Sequence, residues 1–208
     1  MATEVDWASV GGQNSGSKVD FIKFSAGKTV RIRPIGMAVE FCKFFIRTSS
    51  GNRSVCVDLE NAEKARQILA EHTGNDEIAP QHRYAINVID REDGEIKIME
   101  GGSSIFKAFA SWAKEAGTNP GGPGGSDWAI EVTGEGKLRR YQPNCIKPSV
   151  ITADEKAKFI ELVQERSIED YFKGVPLDDL ITKVFGDNPA SGEAPQSGDS
   201  TSNDPIKW

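Results

Sequence analysis

The sequence predicts an α+β protein that is mainly β: a small antiparallel β-barrel, closed or partly closed, with added helices and a helical segment after it. Short runs that alternate apolar and polar residues are joined by tight turns, which is typical of hairpins. Units of strand, helix and parallel strand do not recur, so a doubly wound sheet is not favoured. About seven predicted strands and two predicted helices lie within the first 150 residues.

The first two predicted strands cover residues 19–24 and 28–35 and are separated by a short turn. In the second strand, Arg31 and Arg33 alternate with apolar residues, so both arginines should point to the outward face. Because Pro34 has no amide hydrogen for a sheet ladder, we expect that a central strand cannot continue through it.

Three hairpins and two helices account for the rest of this region. Residues 37–48 and 53–59 should pair through the turn "SSGN", and the helix formers of residues 60–73 stop at Gly74. The later elements, in chain order, are the hairpin strands 83–90 and 95–100 around Asp93-Gly94, a helix over 103–117, a flexible glycine-rich loop over 118–127, and a last hairpin over 128–146.

The C-terminal part of the chain has a different composition. Residues 1–150 hold 19 Lys and Arg against 19 Asp and Glu, whereas residues 151–208 hold 6 against 12. Helices are predicted over residues 152–167, which begin with a capping-box pattern, and over residues 176–186. The predicted organisation is a flexible arm (1–18), a β-domain (19–150), a helical extension (151–186) and a disordered acidic tail with an apolar tip (187–208).

Composition narrows the class of protein. The chain is 38% apolar but has no apolar run of the roughly 20 residues that span a membrane, and its start lacks the pattern of a secretory signal. Three cysteines without regular spacing do not indicate a disulfide framework. We therefore expect a soluble cytoplasmic protein without membrane contacts.

The stretch "EFCKFFIR" carries the main functional signal. In a strand over residues 37–48, the even-numbered residues can close a core, while the odd-numbered face alternates rings with the cations Lys43 and Arg47. Burying both cations unpaired would cost several kcal/mol each, so this face should meet solvent or a partner. Rings between positive charges are what single-stranded nucleic acid requires, because the rings stack on unpaired bases and the cations bind phosphates.

Cations and aromatic residues recur on the other predicted hairpins. The candidate nucleic-acid-binding residues are Arg31, Arg33, Phe41, Lys43, Phe45, Arg47, Arg53, Arg83, Tyr84, Trp128, Lys137, Arg139, Arg140 and Tyr141.

The motifs do not indicate phosphate binding by a P-loop, metal binding or catalysis. "SAGKT" lacks the first glycine of a phosphate-binding P-loop and is followed by a strand instead of a helix. The cysteines and the two histidines do not have metal-ligand spacing, and neither a nucleophile motif nor paired strand carboxylates indicate catalysis. We expect a protein that is not an enzyme and needs no cofactor or metal.

The runs "GKTVRIRPI" and "RYAINVIDREDGEIKIMEGGSSIFKAFASWAKE", followed by "DWAIEVTGEGKLRRYQ", resemble the core of bacteriophage single-stranded DNA-binding proteins of the tailed-phage replication type. The resemblance covers roughly residues 19–150 and implies an OB-fold that coats single strands without sequence preference during phage replication and recombination. Some family members carry a Cys/His zinc subsite, which the residues here do not support.

The C-terminal tip "NDPIKW" is similar in kind to the tips of bacterial single-strand-binding proteins, which recruit replication proteins. The residues that would bind such partners are Asp204, Pro205, Ile206 and Trp208. Two alternatives remain open. A phage structural or assembly protein would use the aromatic strand as a subunit interface, and a nuclease would need converging carboxylates and a divalent metal. The sequence does not decide the oligomeric state or the preference for DNA over RNA.

Overall fold

The structure, a computed structural model, describes residues 20–49 and 51–186; the side chain of Lys137 is not described. The predicted arm and tail therefore lie outside the described residues. The strands are β1 (Thr29–Thr48), β2 (Gly51–Val57), β3 (Gln81–Asp90), β4 (Ile96–Gly101), β5 (Ser126–Thr133) and β6 (Arg140–Pro148). The helices are α1 (Ala62–Thr73), α2 (Ser103–Ala116), α3 (Ala153–Glu165), α4 (Ile168–Tyr171) and α5 (Leu180–Phe185).

The protein is α+β, with one six-stranded antiparallel sheet. The strand order is β4-β3-β1-β5-β6, and β2 pairs with the C-terminal part of β1. All three predicted hairpins form: β1 with β2, β3 with β4, and β5 with β6. Among the described residues the outer strands β4 and β6 do not pair with each other, so the sheet is not closed.

The long first strand differs from the prediction. β1 continues through Pro34, which pairs with Val88, so the expectation that a strand cannot pass Pro34 was wrong. The reason is that β1 pairs with β5 up to Ile32 and with β2 from Cys42, so between them one edge of β1 has no described strand. Proline is tolerated at such an open edge.

β1 also contains an irregularity beyond Pro34. The register against β3 shifts between Ile35 and Val39, and Gly36 in this bulge has a φ of +79° that favours glycine.

The predicted strand over residues 19–24 does not form within the described part of that segment. Phe21 makes an isolated parallel bridge to Ile98; the Ile22 amide donates to the Ile98 carbonyl and the Ile98 amide donates to the Asp20 carbonyl, both at 2.9 Å. The segment therefore adds only a short contact beside β4.

One side of the sheet, here called the back face, carries the larger share of the core. α2 packs on it through Ile105, Phe106 and Phe109, against sheet residues that include Ile32 and Val88. At the β1–β2 end, α1 and α5 cover Phe44, Ile46, Val55 and Val57. Apolar burial on this face therefore anchors both ends of β1.

On the opposite side, here called the front face, the described residues of the helical extension cover the middle of the sheet. α4 and the residue after it bring Ile168 and Phe172 onto Phe41, Ala85 and Ile98. α3 begins with the predicted capping box, in which the Thr152 hydroxyl accepts from the Glu155 amide and the Glu155 carboxylate accepts from the Thr152 amide. Because Ile168 and Phe172 lie on the middle of the sheet, front-face residues at its two ends, such as Arg31 and Phe45, remain exposed. Within the described residues, no helix is long and apolar enough to cross a membrane.

Candidate nucleic-acid interface

The alternation predicted for residues 37–48 is present over residues 42–47 of β1, whereas Ala38 and Glu40, predicted to close the core, are exposed. Cys42, Phe44 and Ile46 are buried on the back face, whereas Phe45 and Arg47 are exposed. Directly paired residues of antiparallel strands share a face, and Lys43 pairs with Gln81 while Phe41 pairs with Arg83. The front face therefore brings four of the predicted residues to the β1–β2 end of the sheet. We call this group the hairpin patch; it consists of Lys43, Phe45, Arg47 and Arg83.

Phe45 is the aromatic centre of the hairpin patch. Its side chain is 52% exposed, and the residue opposite it on β2 is the small Ser54. The Lys43 ammonium nitrogen lies 5.6 Å from the centre of the Phe45 ring, within the range of a cation–π contact. Arg47, the next residue on this face, has no ion pair with any other described residue. One ring is thus presented to solvent between two cations.

Glu100 partly neutralises the patch. Its carboxylate accepts a hydrogen bond of 2.8 Å from the Lys43 ammonium and one of 3.1 Å from Nε of Arg83. All three side chains are less than one-third exposed, so the pairing is partly shielded from water. The patch therefore contains three cations against one carboxylate.

Phe41 does not contribute to the accessible surface, contrary to its predicted outward position. It points to the front face as expected, but its ring is stacked on that of Phe172 with centroids 4.4 Å apart and is only 2% exposed. The reason is that α4 and Phe172 cover the front face at this point. The sequence pattern of β1 alone carries no information about this cover.

Arg33 is also buried, although it was predicted to point outward to a phosphate. Its guanidinium is fully enclosed and donates to the carbonyl oxygens of Pro120 at 2.7 Å, Gly122 at 2.6 Å and Ser149 at 3.3 Å, and to that of Pro34. Burial lowers the pKa of Arg33, and Asp127 opposes this effect.

The glycine-rich loop, predicted to be flexible, is held against the open edge of β1. The Gly36 amide donates to the Gly121 carbonyl at 3.0 Å. A side chain at Gly121 would meet the Gly36 carbonyl oxygen at 1.9 Å, so only glycine allows this approach. The buried Arg33 guanidinium therefore holds the loop in place through its hydrogen bonds to the Pro120 and Gly122 carbonyl oxygens.

The remaining predicted residues do not join the hairpin patch. Arg31 and Arg140 are exposed on the front face at the far end of the sheet, and Arg139 is exposed just before β6. The residues that the strand pairings place on the back face are Arg53, Tyr84, Trp128 and Tyr141. The predicted side chain of Lys137 lies outside the described residues.

The four back-face residues have specific neighbours. Arg53 pairs with Ile46, which places it on the side opposite Phe45. Tyr84 stacks on Phe106 of α2, and a hydrogen bond to Glu40 raises its pKa. Trp128 is 2% exposed within the α2 core. Tyr141 packs edge-on against Phe24, so none of these four extends the patch.

Sequence reasoning missed Glu100 and two residues of β6, Ile146 and Lys147. Glu100 could have been found from the register of the β3–β4 hairpin, which places it opposite Ala85 and beside Arg83. Ile146 shares the parity of Arg140, but Lys147 reaches the same face only through a register shift between β5 and β6 for which the sequence gives no clear signal.

Reactive and metal-binding groups are sparse in the part of the chain that the structure describes. It contains no group of three or more His, Cys, Asp or Glu side chains that could hold a metal ion. Burial raises the pKa of the Cys56 thiol to about 11, although nearby Lys43 has the opposite effect. A raised pKa keeps Cys56 in the less nucleophilic thiol form at neutral pH.

No protein-family model matches the sequence, and no curated protein is significantly similar to it.

Proposed function

We propose that this protein binds single-stranded DNA through the hairpin patch and coats it without sequence preference. The observation that carries the proposal is the Phe45 ring, half exposed on a β-ribbon with Lys43 over it and Arg47 beside it. A singly exposed apolar side chain is ordinary, so the proposal rests on the combination of a ring with cations on the same β-ribbon. A nucleobase stacked on it would gain about 1 to 3 kcal/mol, and the cations would bind the adjoining phosphates.

Single strands suit this surface better than a duplex does. The ring needs the face of an unpaired base, and the faces of paired bases are occupied by their stacked neighbours. Every base has such a face, which accounts for binding without sequence preference.

An OB-type, partly open barrel and a role in phage replication and recombination are part of the proposal. They rest on the resemblance of residues 19–150 described above. The long β1, which pairs with strands at both of its ends, is compatible with such a barrel. Recruitment of replication proteins would depend on the C-terminal tip, which lies outside the described residues.

The test is the anisotropy of fluorescently labelled oligothymidylate of about 16 nucleotides, titrated with the full chain at about 50 and 200 mM salt. Phe45→Ala should weaken binding about 5- to 150-fold with little change in salt dependence. Arg47→Gln should lower the slope of log affinity against log salt by about 0.7, the value for one phosphate contact on a single strand.

Two control variants make the same kinds of change, loss of an apolar side chain or of a cation, at positions outside the hairpin patch. Ile160→Ala removes a comparably exposed apolar side chain from α3, and Lys64→Gln removes an exposed cation from α1. Both should bind as the unmodified chain does. Self-association without any binding of oligothymidylate would instead favour the assembly protein, and equal binding by all four variants would refute the role of the patch.

A further inference from the structure

A groove lies at the other end of the front face, where β1, β5 and β6 run side by side. Its volume is about 500 Å³, within the range of about 300 to 1,000 Å³ for small-ligand sites. It is lined by Thr29, Arg31, Arg91, Asp127, Ala129, Ile146 and Lys147. We call it the β6 groove.

A β-bulge brings a cation into this groove beside an apolar side chain. Asp127 pairs with Lys147, but the next residue, Trp128, pairs with Cys145, so Ile146 is an extra residue in β6. Such a bulge re-aims side chains and is over-represented next to binding sites. Ile146 is 47% exposed and follows Asn144 on the front face, and because of the bulge Lys147, which regular alternation would turn to the back face, lines the groove beside it.

The charges of the groove favour an anionic ligand. Arg91 is already held by Asp127 at 2.9 Å and by Glu155 at 2.6 Å. Arg31 and Lys147, in contrast, make no ion pair with any residue within 20–49 or 51–186. The three cations Arg31, Arg91 and Lys147 thus face the two carboxylates of Asp127 and Glu155, so the groove keeps a net positive charge.

We propose that the β6 groove is a second contact segment for the same single strand, with phosphates bound by Arg31 and Lys147 and a base or sugar against Ile146. This inference rests on the proposed function. The two segments are joined by β1, in which Arg31 and Phe45 are 14 residues apart. At about 3.3 Å per residue, the separation is at most about 46 Å, less where β1 bends.

The test compares oligothymidylates of about 6 and about 16 nucleotides, because only the longer one reaches both segments. The double variant Arg31→Gln/Lys147→Gln should bind the longer oligonucleotide about tenfold more weakly, with a salt slope lower by about 1.4. Its affinity for the shorter one should fall by less than about threefold if the hairpin patch is the primary site. Phe45→Ala should weaken both oligonucleotides.

A direct readout is the NMR signal of the Ile146 methyl group. It should shift when the longer oligonucleotide is added, and the equally exposed Ile160 methyl group on α3 serves as the control. Inorganic phosphate at matched ionic strength should leave Ile146 unshifted, because a lone anion has no ring or sugar to contact it.

Three outcomes would overturn the inference. If Phe45→Ala weakens binding but the double variant matches the unmodified chain, the groove is not part of the DNA path and the proposed function stands. If phosphate alone shifts Ile146 as the oligonucleotide does, the groove is only an anion site. If oligothymidylate does not bind at all, both the function and the groove assignment fail.

Discussion

Replacing Arg33 with methionine should destabilise the fold by about 3 kcal/mol without a direct effect on nucleic-acid contacts. The variant removes the donors that bind the carbonyl oxygens of Pro120 and Gly122 at 2.7 and 2.6 Å. A buried acceptor left without a partner costs about 1 to 3 kcal/mol, so the two together cost about 2 to 6 kcal/mol. Methionine avoids the cost of burying a charge, which offsets part of this loss.

Urea unfolding followed by circular dichroism measures the free energy of unfolding of this variant. Arg33→Lys is the matched control, because one ammonium group keeps the charge but lacks the forked guanidinium geometry and should recover only part of the stability. An Arg33→Met variant within about 0.5 kcal/mol of the unmodified chain would refute the structural role. If that variant also lowered the salt slope of DNA binding, Arg33 would be a phosphate contact after all.

Three further predictions concern the cover, the charge balance and the thiols. Phe172→Ala should cost about 3 to 5 kcal/mol in urea unfolding because it removes the ring stacked on Phe41; a loss below about 1 kcal/mol would show that α4 does not hold the front face. Glu100→Gln should tighten oligothymidylate binding and raise its salt slope by up to about 1.4, since Lys43 and Arg83 are then free for phosphates; unchanged affinity and slope would exclude both cations from the interface. In labelling with a thiol reagent at about pH 8, exposed Cys145 should react first and Cys56, whose pKa burial raises to about 11, much more slowly; comparable rates, measured by mass spectrometry on the folded chain, would contradict the burial of Cys56.

The hairpins could be predicted because their signals are local. Asp93 and Gly94 determine the turn between β3 and β4, where Gly94 has a φ of +76° and the Asp93 side chain accepts from the Glu95 amide. Alternation within β1 likewise placed Phe45 and Arg47 outward and Phe44 inward. Such features depend only on neighbours in the sequence and on the two-residue period of a strand.

The features that could not be predicted depend on contacts between distant parts of the chain. Phe41 and Arg33 have the parity of exposed residues, but Phe172 and the glycine-rich loop cover them. Pro34 is tolerated because one edge of β1 lacks a strand partner there. The β6 groove depends on a register shift at Ile146, and register between strands is not encoded in the composition of either one.

Ultraviolet crosslinking of oligothymidylate to the full chain, followed by peptide mass spectrometry, tests most directly whether Phe45 contacts the bound strand. Cleavage after Lys43 and Arg47 releases residues 44–47, in which Phe44 is fully buried and Phe45 is 52% exposed. If Phe45 stacks on a base, a thymidine adduct should form on this peptide at Phe45; it should be lost in Phe45→Ala and be competed by unlabelled strand. Adducts confined to other peptides, or no adduct under conditions where the oligonucleotide is bound, would contradict this contact.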